Sequence, residues 1–109
     1  MARIKFITLE NLLEMKTNND DFELVDALPE EAFKEGRIPG AVNIPSDNIS
    51  AQAEEKLNKN NPIVTYCANY ACQASTVAAK KLLELGFENV LDFKAGKKAW
   101  EDAGFDLEQ

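Results

Sequence analysis

The chain contains no histidine among its 109 residues, which removes at once the Cys–His and Ser–His pairs that activate a nucleophile. Cysteine is scarce as well, with two residues, and two thiols without histidine make a poor ligand set for structural zinc. No metal and no cofactor are expected. No apolar run approaches the length needed to cross a bilayer. Met1-Ala2-Arg3-Ile4-Lys5 is followed by only a short apolar run and does not read as a secretory leader. With so few cysteines, this points to a reducing, cytoplasmic compartment. Cations are in the minority: 12 Lys and Arg against 19 Asp and Glu leave a net charge of −7. That balance speaks against non-specific contact with nucleic acid or with acidic membrane surfaces. The remainder is ordinary for a globular protein, 45% hydrophobic and 28% charged, and the length suits one domain over residues 1–109.

What the sequence does hold is concentrated in Pro62-Ile63-Val64-Thr65-Tyr66-Cys67-Ala68-Asn69-Tyr70-Ala71-Cys72-Gln73-Ala74-Ser75-Thr76. An apolar, β-branched run reads as a short buried strand and stops at Cys67. After small and polar residues, Val77 to Leu85 carries apolar residues at helical spacing, with Gly86 as the stop. A cysteine is thus placed between a strand's carboxyl end and a helix's amino end, where free N–H groups and the helix dipole favour a thiolate. The alternative is that Cys67 is one more small buried hydrophobe.

Along the chain, Arg3 to Thr8 reads as a first strand, followed by a helix through Met15 with Thr8 as its N-cap. Asn18 to Asp21 is a turn cluster and Phe22 to Asp26 a second strand ending on a carboxylate. Pro29 to Gly36 has the punctuation of a short helix. Arg37 to Gly40 is a turn, Ala41 to Pro45 an extended segment, and Ser50 the expected cap of a helix to Leu57. Asn89 to Phe93 is the last strand, Ala95-Gly96 its turn, and Lys97 to Ala103 a terminal helix anchored by Trp100. Strands alternating with helices predict an α/β fold, a mostly parallel sheet covered on both faces. Ligands bind outside the carboxyl ends of such strands, so Asp26, Cys67 and the Lys94–Lys98 turn are expected to share one rim.

Leu24-Val25-Asp26 with Glu30-Glu31-Ala32-Phe33, then Gly36-Arg37-Ile38-Pro39-Gly40-Ala41-Val42-Asn43-Ile44-Pro45, Tyr66-Cys67 before a helix, Leu85-Gly86-Phe87-Glu88-Asn89-Val90, and Gly96 to Phe105 resemble the single-domain rhodanese-like sulfurtransferases. The resemblance spans roughly Ile4 to Glu108 and implies the rhodanese fold, a five-stranded parallel sheet flanked by helices. It further implies that Cys67 takes a sulfane sulfur from a donor, holds it as a persulfide and passes it to a thiol or cyanide. The implied partners are a small sulfur donor and a thiol acceptor, or a protein persulfide. The chain departs from the family at Leu28, where many members have Arg, at Arg37 in place of His, and at Ala95 in place of Gly.

The active-site loop is expected to comprise Ala68, Asn69, Tyr70, Ala71, Cys72, Gln73, Ala74 and Ser75, about two residues longer than the family's six-residue cradle and without Arg or Lys. Such a loop favours a polysulfide or persulfide donor over thiosulfate and holds a small anion by backbone N–H groups. Cys72 is a candidate resolving thiol, the alternative being inward-facing loop filler. Asp26 and Arg37 are supporting residues, Asp26 as an acceptor for loop N–H groups and Arg37 as a loop brace. Lys94, Lys97 and Lys98 either steer an anionic donor or form a solvated face. Tyr70 either walls the pocket or lies on the surface. Two other functions fit the same residues. One is a redox-sensing or non-catalytic binding module toggling Cys67 and Cys72. The other is a cysteine-dependent phosphatase or arsenate reductase, suggested by the longer loop but lacking the Arg that clamps an oxyanion.

Overall fold

A computed structural model describes residues 3–109; Met1 and Ala2, part of the amino-terminal stretch read as lacking a leader, lie outside them. Five strands, β1 (Lys5–Phe6), β2 (Glu23–Asp26), β3 (Val42–Asn43), β4 (Ile63–Tyr66) and β5 (Val90–Phe93), pair in the order β1-β5-β4-β2-β3. Every pairing is parallel. Five helices connect and follow them: α1 (Leu9–Thr17), α2 (Glu30–Glu35), α3 (Ile49–Lys56), α4 (Ala74–Glu84) and α5 (Gly96–Asp102). Alternate side chains of the strands feed two cores, as strand pleating requires. Leu24, Val64, Tyr66 and Phe93 pack with Leu12 of α1 and Trp100 of α5. On the opposite face Val25, Ile63 and Val90 pack with Ala53 of α3 and with Ala78, Ala79 and Leu82 of α4.

Local chemistry sets the boundaries. Thr8 caps α1 and Asn11 answers in a reciprocal capping box, which satisfies two free helix N–H ends. The first strand is much shorter than expected: both its residues are exposed on the sheet edge, so it lacks the buried partners that lengthen a strand. Ser50 does not cap α3. A 3-10 turn, Ser46–Asn48, follows Pro45 and runs directly into the helix at Ile49, leaving Ser50 inside it. Helix α4 begins at Ala74, three residues before the expected Val77, because Ala74 to Thr76 continue the helical backbone despite their modest apolar content.

The topology fixes where chemistry takes place. The chain leaves β2 outward to the edge strand β3, and leaves β4 in the other direction to β5. The carboxyl ends of the neighbouring strands β2 and β4 therefore flank the crevice where the winding reverses. Asp26 is the last residue of β2, paired in register with Tyr66 of β4, and Cys67 follows.

Candidate active site

Cys67 is fully buried at the foot of that crevice. Its thiol donates to the carbonyl oxygen of Cys72 at 3.4 Å. The loop between Cys67 and α4 is Ala68–Gln73, six residues, so Ala74 and Ser75, expected in the loop, form the first turn of the helix instead. Asn69 folds the loop back: its side-chain oxygen accepts the N–H groups of Ala71 and Cys72 at 3.0 and 3.2 Å, and its carbonyl also accepts the Cys72 N–H at 3.1 Å. Residue 72 is thereby returned over residue 67, which brings the two thiols close enough for the charge of one to act on the other.

The backbone N–H groups that act on the two sulfurs are divided between them. Ser75 presents its N–H to Cys67, while Ala68 and Ala74 present theirs to Cys72. The buried Ser75 hydroxyl has the Cys67 sulfur as its neighbour and no oxygen or nitrogen partner. Burial pushes the Cys67 thiol up, and its hydrogen bond with Cys72 adds to the rise, so the helix end does not lower it as the strand–helix placement suggested. For Cys72, burial acts upward too. The Cys67 hydrogen bond, the Ala68 and Ala74 N–H groups and the Lys94 charge outweigh it and bring the thiol down. Of the two thiols it is Cys72, half-buried, whose charged form is favoured.

Asp26 is buried behind this loop. One carboxylate oxygen accepts the Leu28 N–H at 2.9 Å, and the other accepts the Tyr66 hydroxyl at 2.9 Å. The Tyr66 hydroxyl in turn accepts the Ile38 N–H at 3.0 Å. Burial raises the Asp26 pKa further than the Leu28 and Tyr66 hydrogen bonds and the Lys97 and Arg37 charges lower it. Tyr66 was not among the expected site residues; its signal was a hydroxyl-bearing aromatic at the last strand position before the cysteine. Arg37 lies away from the sulfurs. It stacks over Phe33 at 4.7 Å and pairs with Glu108, exchanging backbone hydrogen bonds of 3.0 and 2.8 Å with it.

The lysines do reach the rim, but as braces. Lys94 donates to the Cys72 carbonyl at 3.0 Å, Lys97 to Ala32 at 2.9 Å with Asp26 3.9 Å away, and Lys98 pairs with Asp102. The amino end of α5 meets the loop directly: the Lys97 and Lys98 N–H groups donate to the Cys67 and Ala68 carbonyls, both at 3.0 Å. Gly96 makes this approach possible, with a φ of +67° and a Cβ position that would collide with the Cys67 carbonyl oxygen. Tyr70 is 71% exposed and walls a shallow hollow between the loop and Ala95, Lys98 and Ala99. Among the described residues there is no cluster of three or more His, Cys, Asp or Glu side chains able to hold a metal ion. No described helix is long and apolar enough to cross a membrane.

Comparison with known proteins places these features in a family. The sequence model of the Rhodanese-like domain matches residues 8–103. The chain is 30% identical to the thiosulfate sulfurtransferase GlpE of Shewanella oneidensis, over 94% of this chain and 98% of that protein. It is 37% identical to the adenylyltransferase and sulfurtransferase UBA4 of Meyerozyma guilliermondii over 75% of this chain, a region that makes up 20% of that much longer protein. The crystal structure of the BH2092 protein from Bacillus halodurans superposes with a TM-score of 0.87 at 31% identity, covering 95% of this chain and 76% of that one.

Proposed function

The chain belongs to the rhodanese-like domain family, and from that premise we propose that it transfers sulfane sulfur through a persulfide on Cys67, in a reducing, cytoplasmic setting. The observation that carries this reading is the position of Cys67 at the reversal of the sheet winding, its sulfur facing the Ser75 N–H and the Cys72 thiol. Cys67 gives up its proton to solvent as the donor enters the site. The freed Cys67 thiolate attacks the outer sulfur of the donor and releases the donor's remaining chain as a thiolate. The Ser75 N–H and hydroxyl hold the charge that develops on the new persulfide. An acceptor thiol, or cyanide, then removes the outer sulfur. Asp26 and Tyr66 keep the floor of the site in place and move no proton.

A polysulfide or an organic persulfide suits this site better than thiosulfate. The loop carries no Arg or Lys, and the cation nearest the sulfurs, Lys94, is engaged by the Cys72 carbonyl. The phosphatase and arsenate reductase alternative rested on a longer loop and lacks an arginine clamp. The reading is tested by intact mass after exposure to polysulfide and to thiosulfate. The wild type is expected to gain one sulfur, removable by cyanide as thiocyanate and formed more readily from polysulfide. Cys67→Ser is expected to gain none. A Cys67→Ser variant that loads sulfur as the wild type does refutes the assignment.

A further inference from the structure

We propose that Cys72 resolves the Cys67 persulfide, so that, when no acceptor intervenes, the loop closes to a Cys67–Cys72 disulfide and expels the sulfane sulfur as sulfide. The inference rests on the persulfide reading above and concerns the fate of the sulfur. Its basis is geometric. Two thiols five positions apart along a loop need not meet, and here they are brought together by the Asn69 turn, which spends its side-chain oxygen and its carbonyl on returning Cys72. The Cys67 thiol donates to the Cys72 carbonyl oxygen at 3.4 Å, which sets the two cysteines side by side. Cys67 is buried while Cys72 is half-buried, so Cys72 is the more accessible of the two thiols. The N–H groups of Ala68 and Ala74 and the charge of Lys94 lower the Cys72 pKa and so favour its thiolate form.

The step balances without a further reactant. The Cys72 thiolate attacks the inner, Cys67 sulfur of the persulfide. A bond forms between the two cysteine sulfurs, the bond from the Cys67 sulfur to the outer sulfur breaks, and its electron pair leaves with the outer sulfur as hydrosulfide. The two cysteines are oxidised by two electrons and the sulfane sulfur is reduced to sulfide. A dithiol from solution then reopens the disulfide, and turnover needs that reductant.

The experiment follows intact mass with time, under anaerobic conditions, after brief polysulfide loading and removal of the excess. In the wild type the mass carrying one added sulfur should decay into a species two hydrogens lighter than the starting protein, with the linkage mapped to Cys67 and Cys72 and reversed by dithiothreitol. In Cys72→Ser and in Cys72→Ala, both checked for native fold, the sulfur adduct should persist at least tenfold longer. A wild-type adduct as long-lived as that of the variants overturns this inference and leaves the persulfide reading intact. Absence of any adduct in the wild type and both variants overturns the two together. An adduct that Cys67→Ser forms and both Cys72 variants fail to form exchanges the roles of the two thiols and also refutes the proposal.

Discussion

At the scale of single residues, the division of labour between the two cysteines is decided by which donors face which sulfur. Cys67 has the burial and Cys72 the larger share of N–H groups and the nearby lysine. The sign follows directly: a lowered pKa means that Cys72 is already thiolate at a pH where Cys67 keeps its proton. Alkylation of the reduced protein, read by peptide mass, is therefore expected to label Cys72 first. Its rate should level off below the pH of about 8.5 that marks a free thiol, with Cys67 reacting later and at higher pH. Equal rates, or Cys67 leading, would contradict the arrangement of donors described above.

At the scale of elements, the joint between the loop and α5 is the most exacting part of the fold. Gly96 combines a positive φ with contact against the Cys67 backbone, so Gly96→Ala must shift either α5 or the loop. A loss of about 1–3 kcal/mol in denaturant unfolding is expected, together with slower sulfur loading because the Cys67 carbonyl is displaced. An Ala variant as stable and active as the wild type would refute the close approach. Much of this framework was legible in the sequence. Turn residues and strand–helix alternation marked all five strands and the helices, and Thr8 and Pro29 marked two helix starts. Two features were hidden for physical reasons. The start of α4 lies among Ala74, Ser75 and Thr76, residues with no apolar periodicity to betray a helix. The return of Cys72 onto Cys67 depends on a side chain–backbone turn at Asn69, which spacing alone does not encode.

At the scale of the whole molecule, the net charge of −7 would repel the polysulfide donor proposed above. Of the densest cationic group, Lys94 and Lys97 are committed to the Cys72 and Ala32 carbonyls and Lys98 is paired with Asp102 on the surface, which leaves little free attraction at the rim. Repulsion at a distance should then govern encounter, and salt screens it over about 10 Å at 0.1 M. The second-order rate of sulfur loading from polysulfide is expected to rise with ionic strength. A fall would mean that the local lysines outweigh the overall field.

The hydrogen bonds from the Lys97 and Lys98 amides to the carbonyls of Cys67 and Ala68 make the first turn of α5 a gauge of the site's breathing. Cys67 has no exposed surface, so a donor reaches it only when the loop lifts. If the Cys67–Ala68 backbone lifts with the loop, these two amides lose their acceptors at the same moment. Deuterium uptake at positions 97 and 98 would then follow the frequency of opening, and a disulfide-closed loop should slow it relative to the reduced protein. Unchanged uptake would place the moving part of the loop beyond Ala68, toward Tyr70 and Ala71.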